Sequence, residues 1–262
     1  PDYSDFVHNR YIAPFLILPY SASGGCFWSK CRFCPEKSEK NPYTPVKPDT
    51  GVSQLEALIS KYRPGMIHIL DNAMSPALIN EMITRRFSHP WYGFVRMTAH
   101  LADPEFTRKL KETGCTMLKL GLESGDQGVL DSMEKGFQLS QASQILMNLK
   151  KAGISTYIYL LFGTPAENKS SALKTLEFTK QHHEYISFLN ISIFNMPGLS
   201  SDTLALTTRN FYEGDLGLYR EFEHPLGWNR REIREFLQNR FRKDPEIAQI
   251  IRNDPPFFTS NH

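Results

Sequence analysis

Residues 115–163 read CTMLKLGLESGDQGVLDSMEKGFQLSQASQILMNLKKAGISTYIYLLFG, and this stretch indicates the architecture most directly. It holds one apolar run at residues 117–122 and a second at residues 156–162, each of strand length. Between them, residues 140–151 carry apolar side chains three and four positions apart, which is the spacing of a helix with one buried face. Gly153 then marks the end of that helix. A short apolar run, a helix and another short apolar run predict a β-α-β unit with parallel strands.

The same alternation extends in both directions along the chain. Strand-length apolar runs stand at residues 15–20, 66–70, 92–97, 117–122, 156–162 and 188–194. Amphipathic stretches between them cover residues 52–62, 76–87, 104–113, 140–151 and 170–183. Ser75-Pro76 and Asp103-Pro104 are typical of a capping residue followed by proline in the first helical turn. We therefore predict an α/β fold, a partial (β/α)6 TIM-like barrel, because a full eight-stranded barrel usually needs about 250 residues.

This rhythm stops near residue 194, and the chain then divides into three predicted parts. Residues 1–14 are a linker segment, residues 15–199 the partial barrel and residues 200–262 a mainly helical extension packed on it. The extension has helical patterns at residues 230–242 and 245–252. Its arginines alternate with acidic residues, so we expect a salt-bridged, solvent-exposed face there.

Composition excludes several classes of protein. The 262 residues include 30 Lys and Arg against 28 Asp and Glu, a net charge of +2. This balance argues against general nucleic-acid binding, although a local basic groove is compatible with it. No apolar run approaches the ~20 residues of a membrane span. Without a secretory leader and with clustered cysteines, the chain is expected to be cytoplasmic.

The segment most informative about function is GCFWSKCRFC at residues 25–34, which spaces Cys26, Cys31 and Cys34 as C-x4-C-x2-C. It follows the first predicted strand, and the carboxyl ends of barrel strands are where such folds carry their chemistry. Three thiolates can hold a [4Fe–4S] cluster and leave its fourth iron open to a chelating ligand. Cys115 begins the fourth strand at the opposite end, so we expect a plain buried thiol there.

Other interpretations of the cysteines stay open. A zinc site would need a fourth ligand, and His8 is the one histidine in the first 60 residues. A closed electron-transfer cluster would have to recruit Cys115, and a disulfide would join two of the thiols. Zinc or structural iron would make the chain a non-catalytic module.

The cysteine segment resembles that of radical S-adenosylmethionine (SAM) enzymes, including the aromatic Phe33 just before the last cysteine. Its spacing is one residue longer than the common C-x3-C-x2-C and is similar to the subgroup with an N-terminal cobalamin-binding domain. Further segments resembling that subgroup are residues 121–125, 129–130, 133–136 and 162–167, the opening 1–6 and the tail 254–258 with 261–262. No Asp-x-His-x-x-Gly cobalamin fingerprint occurs in the 262 residues, so the resemblance implies cobalamin only through an upstream domain.

The resemblance implies that Cys26, Cys31 and Cys34 hold a [4Fe–4S] cluster whose open iron binds the amino and carboxylate groups of SAM. One electron would then cleave a C–S bond of SAM to methionine and a 5′-deoxyadenosyl radical. Phe33 would lie beside the adenine. A one-electron reductant resembling flavodoxin or ferredoxin is the implied partner.

The resemblance also implies cofactor-binding positions at the ends of later strands. Asp71 and Asn72 stand where family members meet the SAM amino group. Arg96 would pair with the SAM carboxylate, or else form a structural salt bridge. Glu123 would accept hydrogen bonds from SAM, or else cap the next helix. Asn190 would face adenine or substrate. No catalytic side chain is assigned.

The substrate is not predicted. The chain is expected to be either part of a cobalamin-dependent methyltransferase or cyclase, or a cobalamin-independent enzyme that abstracts hydrogen or modifies tRNA or protein.

Overall fold

The computed structural model describes residues 1–6, 15–211 and 217–253. Its centre is a six-stranded sheet in which each strand pairs in parallel with the next one along the chain. The strands are β1 (Ile17–Tyr20), β2 (Met66–Ile69), β3 (Trp91–Val95), β4 (Cys115–Glu123), β5 (Ser155–Phe162) and β6 (Phe188–Ile193). The predicted partial (β/α)6 barrel is confirmed. Its six apolar runs match the six strands, since a strand covered on both faces needs continuous apolar sequence.

Helices join consecutive strands. They are α1 (Pro48–Tyr62), α2 (Pro76–Thr84), α3 (Pro104–Glu112), α4 (Gln127–Ser132), α5 (Leu139–Lys151) and α6 (Lys169–Gln181). The predicted caps are confirmed, because the Ser75 side chain accepts the amide of Leu78 and Asp103 accepts that of Glu105. The short helix α4 was not predicted, since six residues are too few for a clear amphipathic pattern.

The two faces of the sheet have different surroundings. Toward the helices lies one large apolar core that includes Leu118, Leu120 and Ile158. Alternate residues on the same strands point to the inner face, where Met117 and Tyr157 belong to a small separate cluster. This alternation is the two-residue period of a strand, and it sends every second side chain into the interior of the partial barrel.

After β6 the chain forms a three-stranded antiparallel sheet and then helices. The strands are β7 (Met196–Pro197), β8 (Thr208–Asn210) and β9 (Tyr219–Phe222), and the helices are α7 (Arg230–Phe236) and α8 (Pro245–Ile251). The helices predicted in the extension are present, and the three-stranded sheet before α7 was not predicted. A π-helical turn at Leu237–Phe241 ends α7, and the ring of Phe241 packs 5.2 Å from that of Phe162.

The predicted division of the chain, its tail motif and its helix lengths are taken in turn. The division at residues 14 and 199 stays a prediction. The tail motif at residues 254–258 and 261–262 lies outside the described residues. Among the helices that the structure describes, none is long and apolar enough to cross a membrane.

Candidate active site

A cavity of about 390 Å³ opens at the carboxyl ends of the strands, a size typical of small-molecule sites. All three clustered thiols, Cys26, Cys31 and Cys34, line it. The inner-face residues that line it from β3 to β6 and just beyond are Phe94, Arg96, Gly121, Glu123, Tyr159, Leu161 and Ser192. The sequence separates these groups by more than 160 residues, and parallel strand order brings their ends to one edge.

The three thiols are free, and they differ in exposure. Cys31 is buried, whereas Cys26 and Cys34 are half-buried. Burial raises the pKa of Cys34, and the neighbouring thiols of Cys31 and Cys26 raise it further. Cys115 is fully buried in the helix-side core at the start of β4, where burial raises the pKa of its thiol. Its place at the far end of that strand agrees with the expected plain thiol.

Asp71 anchors the loop that carries the cysteines. Its buried carboxylate accepts the amide of Ala22 at 2.7 Å, and its second oxygen accepts the Ser23 hydroxyl at 2.7 Å. Ala22 and Ser23 lie between β1 and Cys26, so Asp71 holds the part of the loop that precedes the first cysteine. The structure does not place Asp71 on the cavity wall, whereas the adjacent Asn72 is there.

The far side of the cysteine loop docks on the segment 133–136. The Trp28 indole donates to the carbonyl of Glu134 at 3.0 Å, and the Arg32 amide donates to the carbonyl of Met133 at 3.1 Å. Gly136 has a φ of +73°, and a Cβ there would overlap the indole ring of Trp28. Glycine at this position thus permits the close contact between the two segments.

Arg96 contacts both the ring of Trp28 and the thiol of Cys31. Its guanidinium lies 4.1 Å from the centre of the Trp28 ring, and its Nη1 lies 3.5 Å from the Sγ of Cys31. A second guanidinium nitrogen donates to the carbonyl of Lys135. Within the described part of the chain Arg96 has no carboxylate partner, so the structural salt bridge that sequence left open is not seen there.

Glu123 and Lys135 form a buried ion pair on the cavity wall. The Lys135 Nζ lies 3.0 Å from Oε1 of Glu123, with side-chain exposures of 7% and 11%. Glu123 has a φ of +67°, uncommon for a residue with a side chain, at a register shift in β4. The alternative role of Glu123 as a helix cap is wrong, because Asp126 caps α4 by accepting the Gly128 amide at 3.0 Å.

Sequence reasoning missed Lys135, Tyr159 and Ser192. Lys135 lies inside the segment 133–136, whose resemblance to the family was the available signal. The ammonium group of Lys135 also lies 5.3 Å from the centre of the Phe33 ring, which places Phe33 on the same wall.

Asn190 lies deeper in the barrel than the cavity wall. It sits two residues before Ser192 on β6, and its Oδ1 accepts the Ser192 hydroxyl at 2.8 Å. Of the predicted cofactor positions, the structure brings Phe33, Asn72, Arg96 and Glu123 together at the cavity. Asp71 and Asn190 stand behind this group.

The donor set fits an iron–sulfur cluster better than a single metal ion. Among the described residues, no three His, Cys, Asp or Glu side chains lie close enough to hold one ion. A cubane cluster presents its irons at separate corners, so its cysteines are more widely spaced than the ligands of a tetrahedral zinc. Three free thiols around one cavity suit that wider arrangement. Arg96, the ion pair of Glu123 with Lys135, and Asn72 line the same cavity and suit a charged, polar ligand.

Several curated proteins resemble the chain in sequence. Anaerobic magnesium-protoporphyrin IX monomethyl ester cyclase of Rubrivivax gelatinosus is 23% identical over 192 residues, covering 69% of this chain and 34% of that protein. Bacteriochlorophyllide d C-8(2)-methyltransferase of Chlorobaculum tepidum is 29% identical over 93 residues, 35% of this chain and 21% of that protein. The chain thus spans about a third or less of these relatives.

Solved structures share the fold. The radical SAM methyltransferase TsrM of Kitasatospora setae, solved with cobalamin and a [4Fe–4S] cluster, has a TM-score of 0.62 at 18% identity, covering 77% of this chain and 43% of that chain. Methylornithine synthase has a TM-score of 0.55 at 12% identity over 90% of this chain and 63% of that chain. At such identities the likeness shows the fold alone.

The family model described as the radical SAM superfamily matches residues 20–179, more than half of the chain. This range begins at the end of β1 and includes the cysteine loop, the ion pair and the strands up to β5. Members of the family are enzymes that use a [4Fe–4S] cluster and SAM and that generally need a reductant. The chain belongs to the radical SAM superfamily.

Proposed function

We propose that this chain binds a [4Fe–4S] cluster through Cys26, Cys31 and Cys34 and cleaves SAM reductively. When bound, the cluster and SAM would supply a 5′-deoxyadenosyl radical. The observation that carries the proposal is the convergence of the three free thiols on one cavity with Arg96, Glu123 and nearby Lys135. The protein supplies position and exclusion of water. A one-electron reductant of the flavodoxin or ferredoxin type is the proposed partner.

The polar and aromatic side chains that line the cavity with the thiols have distinct proposed tasks. Arg96 is a donor for the SAM carboxylate, since a guanidinium matches a carboxylate in shape and charge. Glu123 accepts from the ribose hydroxyls or the ammonium group of SAM, which are hydrogen-bond donors. Lys135 holds the Glu123 carboxylate in place. Phe33 and Asn72 complete the wall.

Anaerobic reconstitution tests the cluster. We expect about four irons per chain and a broad absorption band, together with 5′-deoxyadenosine when SAM and dithionite are added. The Cys26→Ala, Cys31→Ala, Cys34→Ala triple variant should lose both iron and product. Cys115→Ala, which also removes a thiol but lies at the far end of β4, should keep both. Stoichiometric zinc in the native protein without iron uptake would overturn the proposal.

A matched comparison tests the SAM contacts. In reconstituted protein, Glu123→Gln should weaken SAM binding about tenfold or more, because a charged hydrogen-bond partner is lost. Glu134→Gln removes an acidic group eleven residues further along the chain whose side chain does not line the cavity, and it should leave SAM affinity nearly unchanged. Equal affinities for native protein and Glu123→Gln would remove Glu123 from the site.

We propose secondly that the parent protein is a cobalamin-dependent methyltransferase or cyclase. The names of the curated relatives, the cobalamin bound in TsrM and the small share of those proteins that this chain covers support this interpretation. The test is cobalamin binding by the protein of natural length. Cobalamin that co-purifies in stoichiometric amount supports the interpretation, whereas SAM cleavage by that protein without any cobalamin affinity favours the hydrogen-abstracting or tRNA- or protein-modifying alternative.

A further inference from the structure

A second cavity of about 470 Å³ lies between the C-terminal extension and the end of β6. Phe222 on β9 together with Trp228 and Ile233 gives it apolar walls. Ile193 and Phe194 line both this cavity and the cavity of the cysteine loop, so the two spaces adjoin at the end of β6. The second cavity is large enough for part of an organic molecule.

Positive charge is concentrated on this cavity. Arg220 comes from β9, and Arg230 and Arg234 stand one turn apart on α7; all three line it. The guanidinium of Arg230 donates to two neutral groups, the Phe194 carbonyl at 3.2 Å and the Asn195 amide oxygen at 2.7 Å. Within the residues the structure describes, Arg220 and Arg234 have no acidic partner within ion-pair distance.

The available acids do not neutralise this charge. Glu221 lines the cavity but its Oε2 lies 2.7 Å from Nε of Arg209, and Glu235 is paired with Arg231 at 3.7 Å. Burial and the positive charge of Arg234 lower the pKa of Arg230, which Glu221 only partly offsets. The salt-bridged solvent face expected from the sequence is present at the exposed pair of Arg231 and Glu235, whereas Arg230 and Arg234 have no acidic partner among the described residues. Uncompensated guanidinium groups beside apolar walls are suited to an anion on an apolar body.

We propose that Arg220, Arg230 and Arg234 form a binding site for an oxyanion, a carboxylate or a phosphate, carried by an aromatic or apolar substrate. The adjoining cavities would let one molecule place its anionic group here and its reacting carbon near the SAM site. That placement rests on the proposed function, whereas the anion site itself does not.

The affinities of two fluorescent probes, one anionic and one neutral, test the anion site in the 262-residue chain, with and without the reconstituted cluster. The probes are 1-pyrenecarboxylate and its neutral counterpart 1-pyrenemethanol, which share the apolar ring system. We expect the carboxylate to bind at least tenfold more tightly than the alcohol. The Arg220→Gln, Arg234→Gln double variant should reduce that preference to less than threefold, and Arg230 is left in place because it also holds Phe194 and Asn195.

The control is Arg240→Gln, Arg242→Gln, which removes the same charge from exposed positions outside the cavity. It should keep the native preference for the carboxylate. Equal affinity of both probes, or an equal loss in both double variants, would overturn the proposal. Displacement of the bound probe by benzoate or by inorganic phosphate then identifies the preferred oxyanion, and displacement by neither contradicts the site. Because the cluster-free arm needs no catalysis, a failure of SAM cleavage would leave this result intact.

Discussion

At the scale of single residues, the site depends on a buried pair of charges. Lys135 and Glu123 are 3.0 Å apart and nearly inaccessible to solvent. Each charge would be costly to bury alone, because transfer from water to a low-dielectric interior is unfavourable without a partner. The pair thus fixes the position of the Glu123 carboxylate beside the cavity.

Removing one member of this pair should destabilise the chain strongly. We expect Lys135→Met to lower the free energy of unfolding by about 3–5 kcal/mol, and Lys135→Met combined with Glu123→Gln to recover part of that loss. Urea unfolding of the cluster-free chain measures both. Lys37→Met breaks an exposed pair with Glu134, 3.3 Å long, and should cost at most about 1 kcal/mol. Equal costs for the two lysines would contradict the role of burial.

At the scale of elements, the cysteine loop is held by contacts on two sides. Asp71 at the end of β2 binds the loop before Cys26, and the segment 133–136 holds the Trp28 side. In both contacts the partner of the loop residue lies outside the loop, so the spacing of the thiols depends on residues distant in sequence.

The contact at Trp28 predicts a specific effect of Gly136→Ala. Both a positive φ and an overlap with the indole ring oppose a methyl group there, so we expect the reconstituted iron content to fall by at least half. Gly227→Ala is the matched control, because Gly227 has a φ of +70° and a methyl group there would have no neighbouring atom within 4 Å. Gly227→Ala should lower the free energy of unfolding by about 1 kcal/mol through backbone strain, and its reconstituted iron content should equal that of the native protein. Full iron content in Gly136→Ala would show that the docking does not matter.

Asp71→Asn should loosen the other side of the loop. An amide has one acceptor oxygen in place of two, so at least one donor among Ala22 and Ser23 loses its partner, at a cost of about 1–3 kcal/mol. We expect lower iron content and faster proteolysis within residues 21–34. Asp103→Asn, the same exchange at the cap of α3, should leave both unchanged. If the two variants hold equal iron, Asp71 does not organise the loop.

At the scale of the whole molecule, Glu167 connects the barrel to the extension. Its buried carboxylate accepts the amide of Gly163 after β5 and the indole of Trp228 before α7 at 3.1 Å. Oε1 of Glu167 has no hydrogen-bond partner among the described residues. Burial raises the pKa of Glu167 from 4.5 to about 7.

This shift makes stability depend on pH in a defined direction. Between about pH 4.5 and 7 the unfolded chain releases the proton while the folded chain retains it, so stability is fully present below 4.5 and falls as pH rises. The loss should reach roughly 3 kcal/mol above pH 7. In urea unfolding from pH 5 to 8, Glu167→Gln should lack this decline, and the exposed Glu177→Gln should keep it. Parallel profiles for native protein and Glu167→Gln would refute the assignment.

Local sequence patterns were enough to predict the strand order, the partial barrel and the place of the three clustered cysteines. Apolar periodicity encodes each strand, and a βαβ crossover restricts how consecutive strands can pair. Strand direction then assigns Cys26 and Cys115 to opposite ends of the barrel. Glu123 and Arg96 were named from the resemblance to radical SAM enzymes, and strand direction places each at the carboxyl end of a parallel strand.

Which polar groups meet could be learned from the packed structure alone. Asp71 binds the cysteine loop and does not line the cavity, and Lys135 pairs with Glu123, which lies before the helix α4. Arg220 lines the same cavity as Arg230 and Arg234 but comes from another element. None of these pairings leaves a periodic signal, since contacts between side chains on different elements depend on chain paths in three dimensions. The physical reason is that burial and charge are properties of the packed environment, whereas spacing along the chain records only local structure.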